Sequence, residues 1–278
     1  MRPLPLLLAA ALVAGPACSD GVPASDGPLR VAAAFYPLAF LAERVGGDDV
    51  EVTTLAGPGV EPHDLELTPG QRQEVEDADL VIHLRGFQPA VDDALDGVPA
   101  LDAATVMPLD RGDLHVWVDP LRFDRIAGAL ADRLIALRPA AATGIRQRRD
   151  DLQNALRQLD TALGALATCP RRDVVTTHGA FGYLARFGLR VTSVAGGSPE
   201  DEPSPKRLRE VATLIRERGV TTVHYDEPDA QDVARTLAGE TGARVAELNP
   251  VELRPAAGDY LSAMAANVAT LRSALGCA

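Results

Sequence analysis

The stretch Asp173-Val-Val-Thr-Thr-His-Gly-Ala-Phe-Gly-Tyr183 carries a fold signal and a chemical one together. Val174, Val175, Thr176 and Thr177 form a short β-branched run, the composition of a strand buried on both faces of a parallel sheet. His178 stands where that strand should end, and Gly179 and Gly182 follow as the chain turns towards a helix. Ligands of open α/β sheets bind beyond the carboxyl ends of the strands, so His178 is a candidate ligand-binding residue. Outward from this stretch the same alternation repeats. Strands are expected at residues 30–34, 50–55 and 78–84 before it, and at 190–194, 220–225 and 244–248 after it. Helices are expected from Tyr36-Pro37, at 69–77, and from Asp119-Pro120, an N-cap followed by a first helical proline. The last of these should bury Ile126, Leu130, Leu134 and Leu137. Four more are expected at 180–187, 205–218, 229–241 and 259–275.

Ile145, Leu152, Leu156, Leu159, Leu163 and Leu166 recur at spacings of three, four or seven, which predicts one amphipathic helix over about 140–168. At its ordinary rise such a helix spans roughly 40 Å, long enough to act as a strut. The expected architecture is therefore α/β, with two parallel-sheet lobes (29–138 and 169–278) joined by a long rigid helix (139–168). The ligand site would lie in the cleft between the lobes.

The chain has 278 residues, 46% of them hydrophobic, and 39 Asp and Glu against 27 Lys and Arg. A net charge of −12 argues against nucleic acid as a partner and suits a protein that attracts cations. At the start, Arg2 precedes an apolar run, Leu4 to Ala14, too short to span a bilayer. Gly15-Pro16-Ala17-Cys18 then resembles the cleavage site of a bacterial lipoprotein signal. Residues 1–17 are read as a signal peptide and 18–28 as a tether, with a lipid on Cys18 holding an exported protein to the membrane. Export exposes Cys169 and Cys277 to oxidising conditions, where they are expected to form a disulfide.

Two further histidines flank Gly- and Pro-rich turns: His63 in Gly59-Val-Glu-Pro-His-Asp64, and His115 in Leu114-His-Val-Trp-Val-Asp-Pro120. With His178 they suggest three strand-end loops converging on one divalent ion. Neutral imidazole suits zinc, with Zn–N near about 2.0–2.1 Å. No HExxH or CxxC pattern supports this locally, so the residues alone leave ligand and structural roles open. His83 and His224 lie inside strand runs and are read as structural.

Several motifs together resemble one family. Phe35-Tyr-Pro37, Pro58-Gly-Val-Glu-Pro-His-Asp-Leu-Glu66, Ala78-Asp-Leu-Val81, His115-Val-Trp-Val-Asp-Pro120, Thr177-His-Gly-Ala-Phe-Gly-Tyr-Leu184 and Glu202-Pro-Ser204 occur in the order seen in metal-binding solute receptors of ABC transporters. The chain is similar to the zinc-binding, ZnuA-like branch from Leu29 onwards. That resemblance implies a monomeric, non-enzymatic receptor that binds Zn²⁺ through His63, His115 and His178 and delivers it to a membrane permease. Manganese receptors of the family carry a glutamate at position 178, so a histidine there favours zinc. The fourth ligand is open: Asn249 occupies a position where many relatives have aspartate, and water or Glu61 are alternatives. The loop Met107-Pro-Leu-Asp-Arg-Gly-Asp-Leu114 lacks the histidines with which some relatives collect metal. Trp117 is expected to pack beneath the site, Asp119 to cap a helix and Tyr36 to line the cleft, while Glu202 and Glu227 are given no metal role. The competing readings are a manganese or other divalent-metal receptor, an adhesin with a structural metal, and a three-histidine zinc hydrolase with Asp64 or Glu61 as base.

Overall fold

Val174 and Val175 are fully buried in β5 (Asp173–Thr176), the strand around which the second half is assembled. The computed structural model describes residues 27–110, 112–196, 202–226 and 230–277; the expected signal peptide, Cys18, most of the tether and Glu227 lie outside the described residues.

In the first half, β1 (Leu29–Ala33) leads into α1 (Tyr36–Gly46), β2 (Val50–Thr54), α2 (Pro69–Asp77), β3 (Leu80–His83), a short α3 (Pro89–Asp92) and β4 (Ala100–Asp102). Then come α4 (Pro120–Leu137) and α5 (Ala142–Ala165). The second half runs β5, β6 (Arg190–Ser193), α6 (Pro205–Arg218), β7 (Thr222–Tyr225), α7 (Gln231–Thr241), β8 (Arg244–Glu247) and α8 (Tyr260–Leu275). The two four-stranded sheets have orders β2-β1-β3-β4 and β6-β5-β7-β8, and every pairing is parallel. Each sheet thus changes winding direction beside its founding strand, between β1 and β3 and again between β5 and β7. Such switch points open crevices at the carboxyl ends of the strands.

The predicted strut is present. Ile145, Leu152, Leu156, Leu159 and Leu163 form the buried stripe of α5, flanked by 3₁₀ turns at 139–141 and 166–168. It packs against α1 and α4 of the first lobe and α8 of the second. Arg148 ties it down further, donating to the carbonyls of Val45 and Gly46 and pairing with Asp49. The main apolar core is continuous from Leu29 through α5 to α8 and therefore belongs to both lobes. A second, smaller cluster, including Val175, Ile215, Val223 and Leu237, lies between the second sheet and helices α6 and α7. Cys169 and Cys277 are disulfide-bonded, fixing the end of α8 to the approach to β5.

Four expectations need correction. His115 was expected in a strand-end loop with no strand between residue 84 and it, yet β4 lies there; β4 ends at Asp102, so His115 sits deep in a loop. Residues 182–187 are a 3₁₀ helix, stopped by Gly188 at φ 77°, instead of an α-helix from 180. Leu137, the last residue of α4, is 45% exposed, because Pro139 redirects the chain before it can reach the core. Tyr36 does not line the cleft: it is buried in α1 with the Arg254 guanidinium over its ring.

A candidate metal centre between the lobes

Four donors converge where the two sheets face each other. The stiff loop after β2 brings in His63, whose main-chain N–H is held by Glu61 Oε1 at 3.1 Å and whose ring packs 4.3 Å from that of Phe87. The long loop after β4 brings in His115, just ahead of a 3₁₀ turn that buries Val116, Trp117 and Val118. Trp117 lies beneath the site as expected, its ring 5.2 Å from that of His115, and its indole N–H donates to the Pro250 carbonyl at 2.7 Å. Asp119 caps α4, accepting from the N–H groups of Leu121 and Arg122. His178 follows β5, where the Thr176 hydroxyl donates to its carbonyl at 2.7 Å.

The fourth donor is Glu252, from the turn after β8. His63, His115, His178 and Glu252 each present one ligand atom, and these atoms lie within 4.8 Å of one another. Nε2 of His63 is 3.3 Å from Glu252 Oε2, while Nε2 of His115 and of His178 are 3.4 and 3.7 Å from Oε1. A tetrahedral zinc with bonds of about 2.0–2.1 Å has ligand-to-ligand edges of about 3.3 Å, so these spacings already suit one ion. The three Nε2 atoms and Glu252 Oε1 are buried without a well-formed hydrogen bond, although buried polar groups are nearly always satisfied.

Two carboxylates set the imidazoles. Asp113 Oδ1 lies 2.9 Å from both the main-chain N and Nδ1 of His115, and Asp226 takes Nδ1 of His178 while accepting from the Thr177 hydroxyl. With Nδ1 bound in this way, Nε2 of each ring faces the centre. The same groups fix the charge of the metal-free site. Burial favours neutral His178, but Asp226 and Glu252 override it and push the imidazole up to about 10. Burial likewise opposes protonation of His115, and Asp113 and Glu252 again win, raising it. For Glu252, burial is outweighed by His115, His178 and His63, which hold its carboxyl well below the usual range. In the metal-free site these shifts favour a protonated His178 beside an ionised Glu252, so a cation bound there would displace a proton.

Asn249 is not part of this cluster. Its Oδ1 accepts from the Val251 N–H at 2.7 Å, and its main chain is clasped by Asn267, which accepts from its N–H and donates to its carbonyl. Its work is to shape the turn that aims Glu252, three residues on. Val251, inside that turn, is the one non-glycine residue at positive φ (64°) among the described residues. Glu252 was missed because it follows an irregular turn, although an acid just past an Asn-Pro turn at a strand end is a signal that sequence offers. The other two histidines stay apart. His83 Nδ1 pairs with Asp92 at 3.0 Å, and burial pushes His224 down to about 4. Glu202 is exposed. A cavity of about 480 Å³, lined in part by His63, Phe87, Asp113, His115 and Ser193, opens onto the cluster.

Residues 31–274 match the family model described as zinc-uptake complex component A, periplasmic, or ZnuA. The chain belongs to the ZnuA family. The zinc-binding lipoprotein AdcA of Streptococcus pneumoniae strain R6 is 30% identical over 288 aligned positions, covering 92% of this chain and 57% of AdcA. The chain thus spans little more than half of that relative. The high-affinity zinc uptake system protein ZnuA of Bacillus subtilis is 27% identical, over 81% of this chain and 79% of the relative. Among solved structures, the Zn(II)-bound ZnuA-like domain of S. pneumoniae AdcA matches with a TM-score of 0.80 and 29% identity, covering 90% of this chain and 99% of that domain. The laminin-binding protein Lmb of Streptococcus agalactiae, described as having adhesin and metal-transporting activity, matches with a TM-score of 0.83 and 29% identity over 89% of this chain and 99% of Lmb. The ZnuA-family likeness therefore covers both lobes and the helix between them.

Proposed function

We propose that this protein is an extracytoplasmic zinc receptor that holds Zn²⁺ through Nε2 of His63, His115 and His178 and a carboxylate oxygen of Glu252, and hands it to the permease of an ABC importer. The observation that carries this reading is the set of four buried donor atoms facing one point, with two of the imidazoles oriented by Asp113 and Asp226. Three nitrogens and one carboxylate favour zinc over manganese. Four protein donors also close a tetrahedron, whereas hydrolytic zinc sites keep a position for water, so the centre is one for carrying an ion rather than for catalysis. The zinc-binding names of the AdcA and ZnuA relatives agree. Residues 1–17 would be removed on export, and Cys18 would bear the lipid that keeps a monomeric receptor beside its permease.

The test is a zinc titration against a competing chelator, together with a crystal of the loaded protein measured at the zinc edge. One anomalous peak bonded to all four residues is expected. His63→Ala, His115→Ala, His178→Ala and Glu252→Ala should each weaken binding by more than the roughly 10–100-fold typical of losing an outer-shell partner. Undiminished affinity in any one of the three histidine variants would refute the assignment, and in Glu252→Ala would remove the fourth donor from it.

A further inference from the structure

The loop from Met107 to Leu114 has no histidine to gather metal, yet it is pinned at three points. Arg122 Nη1 donates to the Pro108 carbonyl at 2.7 Å. Tyr183 accepts from the Asp110 N–H at 3.2 Å and donates its hydroxyl proton to the Asp113 carbonyl at 2.7 Å. Arg122 also lies over the Tyr183 ring, 4.6 Å from its centroid. Tyr183 belongs to the opposite lobe, five residues after His178.

Asp113 uses its two carboxylate oxygens differently. Oδ1 serves the main-chain N and Nδ1 of His115, and Oδ2 rests against Gly182, where an added Cβ would collide with it. Gly182 is not at positive φ, so the requirement there is for space rather than for backbone freedom. Any side chain at 182 would turn the Asp113 carboxylate and pull Oδ1 from the imidazole it orients.

We infer that Gly182 and Tyr183 are positioning residues for His115: from the His178 side of the cleft they seat Asp113, and Asp113 aims Nε2 of His115 at the metal. The inference rests on the metal-centre reading above and adds to it a mechanical dependence of one lobe's ligand on the other lobe. It gives the Gly-Tyr pair after His178 a function beyond packing. The Tyr183 hydroxyl should matter more than its ring, because both loop contacts run through the oxygen.

The experiment is a zinc–chelator competition on Tyr183→Phe, made in wild-type, His63→Ala and His115→Ala backgrounds. Tyr183→Phe should weaken zinc binding about tenfold in wild type and in His63→Ala, as loss of an outer-shell partner does. In His115→Ala the same change should cost less than about twofold, because the residue it acts through is gone. Cobalt(II) loading of Tyr183→Phe should also show a changed ligand-field spectrum while the metal-free melting temperature stays near that of wild type. Gly182→Ala should behave like Tyr183→Phe; should it fail to fold, Tyr183→Phe carries the test alone. Unchanged affinity of Tyr183→Phe in wild type, or equal losses in the His63→Ala and His115→Ala backgrounds, would overturn the inference. If His115→Ala itself binds zinc as tightly as wild type, the metal-centre reading fails and takes this one with it.

Discussion

The first sheet, β2-β1-β3-β4, and the second, β6-β5-β7-β8, have the same order and the same parallel sense, yet they hold their histidines in different ways. His178 leaves the founding strand of its sheet directly, and its partner Asp226 leaves the neighbouring strand, so both are fixed by adjoining strand ends across the switch point. His115 lies well beyond β4, and its partner Asp113 is part of the same loop. One lobe orients its ligand with its own sheet. The other borrows a tyrosine and the space beside a glycine from across the cleft. Equal chemistry, an aspartate on Nδ1, therefore rests on unequal mechanical support.

The largest effect that would sharpen this contrast concerns the two aspartates. Asp226→Asn and Asp113→Asn should each lower zinc affinity within the roughly 10–100-fold range known for outer-shell partners. Asp226→Asn should lie near the top of it, because Asp226 is the more buried of the two and its partner His178 is buried as well. Chelator competition measures both, and a greater loss for Asp113→Asn would break the comparison.

A smaller effect is the proton balance. His115 and His178 are raised above 6.5 in the metal-free fold, so their contribution to stability is complete below pH 6.5 and fades as pH climbs towards about 10 for His178. Glu252 is depressed, so its contribution is present above its ordinary 4.5 and is lost as pH falls below that. The metal-free melting temperature should therefore decline between pH 6.5 and 10, while zinc affinity increases over the same span. Titration calorimetry at pH 7, in buffers of different ionisation enthalpy, should register net release of protons on zinc binding. No net release would contradict the charge state described for the cluster.

The smallest effect on binding is expected from the second lobe's outer cluster. Leu237→Ala should cost about 2–5 kcal/mol of stability in denaturant unfolding through its cavity. Zinc affinity should change much less, because none of the four donors belongs to that cluster.

Much of this was legible in the residues. Short apolar, β-branched runs located seven of the eight strands and a period of 3.6 located the long helix, since both record which surfaces are buried. The three histidines were found because each lies beside a Gly- or Pro-marked break in such a pattern, and the family resemblance singled them out as ligands. What escaped is what periodicity does not encode. β4 is only three residues long, Ala100–Asp102, too short to show a period. Asn249 was a candidate only because it occupies a position where many relatives have aspartate, but its oxygen serves the Val251 N–H, and Glu252 lies where a strained turn, not a repeating pattern, places it. The supports of His115 were out of reach for a similar reason. Tyr183 and Asp113 are 70 residues apart, and their contact is made by tertiary structure alone.

Val251 carries a further consequence. A β-branched residue at φ 64° costs on the order of 1–3 kcal/mol and persists only where its surroundings over-determine it. Here the clasp of Asn249 by Asn267, anchored in α8, supplies that constraint. The freedom of the acidic arm is thus surrendered when the polypeptide folds, before any ion arrives. An arm held in place in this way needs no reordering of its backbone to meet an ion.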